Sequence, residues 1–171
     1  FEMIKHLLVR AVTGCRLPLH GARTDKHCGK RKVLFIDVSK AHLYAPTEKG
    51  ANAYVALPPE CSKEGVCGRL NYWLYGMRPA SKGWESEYRR RLVSIGFSAG
   101  RASPCCFHRE RDGVACVVHG DDFTFEGPAD ALAGILDELR AFWLIKVRGL
   151  LGPDDTDDKE VSILNRVVRW E

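Results

Sequence analysis

The spacing of apolar positions changes several times along the chain, and each change marks an element. Over residues 2–11 they fall at Ile4, Leu7, Leu8 and Ala11, the i, i+3, i+4, i+7 pattern of an amphipathic helix. Residues 13–32 are aperiodic and rich in Gly, Lys, Arg and His, which predicts a long loop that a partner can order. The apolar run 33–38 contains a single acid, Asp37, and reads as a buried strand with a carboxylate at its tip. A further strand is expected over 53–57, ended by Pro58-Pro59, and a strand and turn over 68–76. Beyond Pro79 the period is helical again: Ser81 as cap, Trp84, Tyr88, Leu92 and Ile95 on one face, and Gly96 as the stop. Lys82, Glu85, Glu87, Arg89, Arg90 and Arg91 fall on the other face.

Two strand-like runs, 105–109 and 114–119, flank Glu110-Arg111-Asp112-Gly113, where Asp-Gly signals a hairpin. The second run passes through Gly120-Asp121-Asp122 into Phe123-Thr124-Phe125, so both aspartates are expected at a tight turn between apolar strands. Residues 128–142 predict a helix with Pro128 in its first turn and Leu132, Ile135, Leu136 and Leu139 facing inward. A strand over 144–147, an acidic loop over 152–160 and an apolar segment over 161–170 follow. This order predicts an α+β fold, a small, largely antiparallel sheet with helices packed on one face.

Composition narrows the class. The chain has 171 residues, 45% of them apolar, which is enough for one globular domain or a piece of one. No run approaches the roughly 20 apolar residues that cross a bilayer, and residues 1–10 lack the layout of a secretory signal, so no membrane partner is expected and an intracellular location, cytoplasmic or nuclear, is. The 26 Lys and Arg exceed the 22 Asp and Glu by four, a balance that permits a polyanionic partner without demanding one. The basic groups cluster at Lys26, Lys30, Arg31 and Lys32, at Arg78, Lys82 and Arg89 to Arg91, and at Arg101, Arg109 and Arg111, while acids gather at Asp154, Asp155, Asp157 and Asp158. Charge pattern by itself reads these as solvated faces and a polar loop. The seven cysteines are an odd number without a scaffold's spacing, as expected of reduced thiols. Cys15, His20, His27 and Cys28 can be imagined as a zinc site but include no CxxC pair.

Asp37, Asp121 and Asp122 each follow an apolar strand and so belong at a sheet edge or turn. Carboxylates placed there need a cation, a cluster of donors or a raised pKa. A pair of divalent ions about 4 Å apart is one solution, and an aspartate-stabilised turn is the plainer one. Asp37 and Asp121 are separated by 84 positions, so they meet only if the 33–38 strand lies beside the hairpin carrying Asp121.

The order of motifs adds to this. Phe35-Ile36-Asp37-Val38-Ser39-Lys40-Ala41-His42-Leu43 resembles the first palm motif of reverse transcriptases. Leu74-Tyr75-Gly76 through Trp84 to Gly96-Phe97 resembles the segment that follows in copia-type (Pseudoviridae) LTR retrotransposons. Ala102-Ser103-Pro104-Cys105-Cys106-Phe107 resembles the next strand, and Val117-Val118-His119-Gly120-Asp121-Asp122 stands where that family has a Tyr-x-Asp-Asp hairpin. The likeness spans roughly residues 33–150, with 1–32 as an N-terminal helix and basic loop and 151–171 as an acidic loop and apolar tail.

The resemblance implies a palm-like reverse transcriptase domain, a fragment of a retrotransposon polyprotein with integrase and RNase H domains elsewhere. Its reaction is metal-dependent RNA-directed DNA synthesis on an RNA or DNA template-primer with deoxynucleoside triphosphates. By the same resemblance Asp37, Asp121 and Asp122 are catalytic and, with the Val38 carbonyl, hold Mg²⁺ or Mn²⁺. His42, Arg78, Pro79 and Lys82 fall at nucleotide or template contacts. His42 stands where the family has an aromatic, Pro79 where it has glutamine, and His119-Gly120 where it has Tyr-Val. Tyr72, Trp73 and Tyr75 read as base-stacking platforms or core, and Trp84 as core. The competing readings are a degenerate, non-catalytic palm-like module that binds nucleic acid or is a relic, and a two-metal nuclease unrelated to polymerases.

Overall fold

The computed structural model describes residues 1–13 and 30–171. The expected loop therefore lies mostly outside the described residues, as do the imagined zinc ligands and Lys26. The described elements run α1 (Glu2–Thr13), β1 (Arg31–Val38), a 3₁₀ turn (Ala41–Tyr44), β2 (Tyr54–Val55), β3 (Gly68–Arg69), α2 (Ala80–Ser94), β4 (Ser98–Ala99), β5 (Cys106–Arg109), β6 (Val114–His119), β7 (Asp122–Pro128), α3 (Ala129–Arg140), β8 (Ile145–Leu151), β9 (Glu160–Ile163) and β10 (Arg166–Arg169). They form two compact units, Phe1–Ser39 with Leu92–Glu171, and Lys40–Arg91. No helix of the described residues is long and apolar enough to cross a membrane.

The first unit is built on a six-stranded antiparallel sheet in the order β4-β5-β6-β7-β1-β8. β1, met first in the chain, sits between β7 and β8, so the strand most distant in sequence from the hairpins becomes its neighbour. Its two faces bury different cores. Val33 and Phe35 join Ala115 and Val117 under Ile4, Leu7 and Ala11 of α1, with Val161 and Ile163 of β9 closing the same cluster. On the other face Phe123 lies 5.7 Å from the Trp143 ring and Phe125 5.9 Å from Phe97. There Glu138 of α3 reaches Arg109 at 2.9 Å, and Leu132, Ile135 and Leu139 are buried. The helices thus cover both faces of the sheet rather than one, as the order of elements had suggested. The cause is in β1 itself: a strand apolar at every position from Val33 to Ile36 must be covered on both sides.

Several boundaries also move. β1 begins at Arg31 rather than Val33, and Arg31 and Lys32 are buried instead of solvated. Each is tolerated because it meets a carboxylate. Arg31 pairs with Glu126, which is fully buried, and Lys32 reaches Asp157 at 2.6 Å and Asp154 at 2.8 Å. Asp154 is bonded by Lys30 as well, and the two lysines hold its carboxyl down to about 2. The acidic loop is therefore a clasp on the start of β1, not a free polar tail. Arg109, also expected on a solvated face, is buried between Asp112 and Glu138 with its guanidinium over Phe97. Pro128 precedes α3 as its N-cap rather than entering the first turn. The apolar tail becomes the β9–β10 hairpin.

In the second unit the strand expected over 53–57 contracts to Tyr54–Val55, paired with Gly68–Arg69. α2 starts at Ala80, which places Ser81 inside the helix instead of at its cap. Trp73, Trp84 and Tyr88 are buried, so Trp73 joins Trp84 in packing, while Tyr72 and Tyr75 stay exposed. Glu87, expected on the outer face, is buried and binds Arg90 and Arg91, each at 2.8 Å.

Candidate functional site

The candidate carboxylates gather at one end of the sheet because of how β6, β7 and β1 are joined. β6 ends at His119 and β7 begins at Asp122, directly paired, so Gly120 and Asp121 alone form the loop. Gly120 has φ +64 while Asp121 keeps a negative φ, the arrangement of a two-residue type II′ hairpin, which wants glycine first. Asp122 is consequently a strand residue, not a turn residue as the sequence suggested. An alanine at Gly120 meets no steric neighbour but must adopt the left-handed conformation. Gly120→Ala is therefore expected to cost about 1 kcal/mol in urea unfolding.

β7 then runs antiparallel to β1 in a register that sets Asp122 opposite Asp37. The turn is tied to the same strand end, since the Val38 N–H donates to the Asp121 carbonyl at 2.9 Å. Val38 itself is fully buried and faces Ile145 on the other side. Asp37 and Asp122 are half-buried, and Asp121 is exposed. Directly opposed like charges on neighbouring strands repel, and this is visible in Asp122. Burial pushes its carboxyl up, and the charges of Asp121 and Asp37 push in the same direction against Arg148 and His119.

A carboxyl raised in the folded state favours folding when it holds its proton. Its contribution is complete below the ordinary value of 3.8 and is lost as pH rises through the raised folded value. Asp122→Asn is accordingly expected to raise the melting temperature by a few degrees at neutral pH in metal-free buffer, with the difference vanishing below pH 3.8. Parallel thermal melts of the two proteins across that range check this.

Asp37 is not bare. Arg148 Nη2 of β8 lies 3.0 Å from its Oδ1. Arg148 was not among the residues singled out from sequence. The alternation of Lys146 and Arg148 followed by Gly149 is the only local signal, and it does not say which acid they face. Here β8 pairs with β1 through an irregularity: Phe35 faces Gly149 and Ile36 faces Val147, leaving Arg148 as the extra residue of a β-bulge. Gly149 is needed at the bulge because a Cβ there would stand 2.6 Å from Val161 Cγ2.

Among the described residues no group of three or more His, Cys, Asp or Glu side chains stands ready to hold a metal ion. The donor chemistry of the Asp37–Asp122 pair nevertheless fits a hard divalent cation: two carboxylates directly opposed on one face of the sheet, the Asp122 carboxyl pushed up by burial and by the neighbouring acids, and Asp37 already carrying a guanidinium. His42, Arg78, Pro79 and Lys82 all belong to the second unit. His42 sits in the 3₁₀ turn, edge-on to Tyr75 with centroids 4.5 Å apart, and its Nδ1 is buried without a hydrogen-bond partner. Arg78, Pro79 and Lys82 are exposed, with the Pro79 carbonyl accepting from Gly83 N–H. No family model matches the chain.

Proposed function

We propose that this chain is a reverse-transcriptase palm-like domain of copia-type retrotransposon ancestry, acting in metal-dependent, template-directed addition of nucleotides to a primer 3′-hydroxyl. The observation that supports it most is the pairing of Asp37 with Asp122, with Asp121 held to Val38 beside them. Residues 85 positions apart are set at one strand end, which is the placement that the sequence resemblance requires. When bound, Mg²⁺ or Mn²⁺ supplies activation of the attacking hydroxyl and neutralises charge on the triphosphate. The chain's own share is positional. Strands β1 and β7 hold Asp37 and Asp122 in fixed register, and the Gly120–Asp121 turn presents Asp121 next to them. Such chemistry draws its rate from positioning and electrostatics, with little covalent work by the protein.

The test is extension of an oligo(dT) primer on poly(rA) with Mg²⁺ or Mn²⁺, comparing the unaltered chain with a double Asp121→Asn, Asp122→Asn variant. Extension by the first alone is expected, and equal extension by both removes these residues from catalysis. A second reading, a non-catalytic palm-like module that binds nucleic acid, is favoured by one observation: Asp37 is neutralised by Arg148 within the chain itself. Retention of a labelled template-primer by both proteins without extension is its expected signature.

A further inference from the structure

We propose that Arg148 is a positioning residue that alternates between two partners: it neutralises Asp37 while no divalent cation is bound, and takes the phosphate oxygens of a nucleoside triphosphate once Asp37 is given over to the cation. This rests on the functional reading above and assigns a role to a residue outside its three aspartates.

The backbone argues first. In a regular ladder the side chain opposite Asp37 on β8 is Lys146, and that pairing is present. Arg148, two positions on, is the residue that reaches Asp37, and it does so from the bulge between the Phe35–Gly149 and Ile36–Val147 pairs, outside the ladder. A bulge of this kind re-aims one side chain at a local cost in pairing. Here the side chain it re-aims meets a candidate catalytic carboxylate.

The strength of the contact argues next. The Arg148 side chain is 43% exposed and that of Asp37 16%, and they meet through the single Nη2–Oδ1 contact. Pairs exposed to this degree are weak and readily exchanged. The contrast with Arg31 is clear: that guanidinium is buried on a fully buried Glu126 through two nitrogens, as a fastener would be. Arg148 is thus poorly suited to holding β8 on β1 and well suited to being displaced. Once released, a guanidinium offers the planar fork that matches phosphate oxygens, with the exposed Lys146 two positions away on the same strand.

Mn²⁺ binding to the chain, measured by calorimetry with no primer present, tests this. Arg148→Gln is expected to bind Mn²⁺ about fivefold more tightly than the unaltered chain, the equivalent of an exposed ion pair. The same variant is expected to bind dTTP in the presence of saturating Mn²⁺ several-fold more weakly, with Arg148→Lys intermediate in both. A merely structural arginine moves both affinities down or neither, and either result overturns the proposal. Asp37→Asn separates the levels. If it abolishes Mn²⁺ binding while Arg148→Gln changes nothing, the role of Arg148 fails and the carboxylate site stands. If Asp37→Asn and the unaltered chain bind Mn²⁺ alike, the carboxylate site fails and this inference with it.

Discussion

Glu126→Ala is expected to destabilise the chain by about 3–5 kcal/mol, read as a lower urea midpoint at unchanged slope. Glu126 is fully buried in β7, where it accepts from Arg31 Nε and, at 3.0 Å, from Arg31 Nη2, while Arg10 Nε of α1 lies 3.3 Å away. Arg31 and Arg10 also both donate to the Gly113 carbonyl in the β5–β6 turn. One carboxylate thereby links the helix, the central strand and a hairpin. Removing it takes from the buried Arg31 guanidinium the carboxylate it meets, and the penalty for an uncompensated buried charge exceeds what the pair contributes when intact. For a domain whose whole stability is of the order of 5–15 kcal/mol, that loss approaches unfolding. A double Glu126→Leu, Arg31→Met protein is expected to recover most of it, since apolar groups of similar size replace the pair without a stranded charge. A loss from Glu126→Ala no larger than that of an exposed pair, about 1 kcal/mol or less, would show that water reaches the site.

Asp37→Asn is expected to lower primer extension on the order of 10²–10³-fold or more while leaving the fold intact. Asp37 is the acid that β1 contributes, it stands opposite Asp122, and it lies on the face of the sheet that also carries Phe35 and Val33. Asparagine keeps its shape and loses its charge, so under the proposed function the pair would lose one of the two charges that hold the divalent cation. Stability responds differently. The substitution forfeits the exposed contact with Arg148, worth about 0–1 kcal/mol, and removes one of the charges that disfavour ionised Asp122, so the two effects offset each other. Melting temperatures within a few degrees of each other, together with lost extension, assign the defect to chemistry. Extension by Asp37→Asn at the unaltered rate would take Asp37 out of the proposed reaction.

Much of the first unit was legible because its signals are local. The helical spacing of Ile4, Leu7 and Ala11, the Asp112-Gly113 turn and the apolar runs on either side of Gly120-Asp121 each depend on residues close in sequence, and each forms the element expected. The second unit was less legible: Ala53, Ala56 and Leu57 carry strand-like character, but only Tyr54–Val55 is paired. A short apolar run becomes a strand only where a partner edge is available, and periodicity does not report partners.

What the sequence by itself determined is therefore the set of elements and the three acids at their ends: Asp37 closing one apolar run, Asp121 and Asp122 opening another. What only the tertiary structure decided is who faces whom. The placement of β1 between β7 and β8 sets Asp37 against Asp122, buries Arg31 on Glu126 and Lys32 on Asp157, and through one extra residue in β8 aims Arg148 at Asp37. Runs of like charge that seemed solvated became buried pairs because their partners lie roughly a hundred positions away. Strand order and a bulge arise from the packing of whole strands, whereas the pattern of side chains along one strand records only which face is apolar.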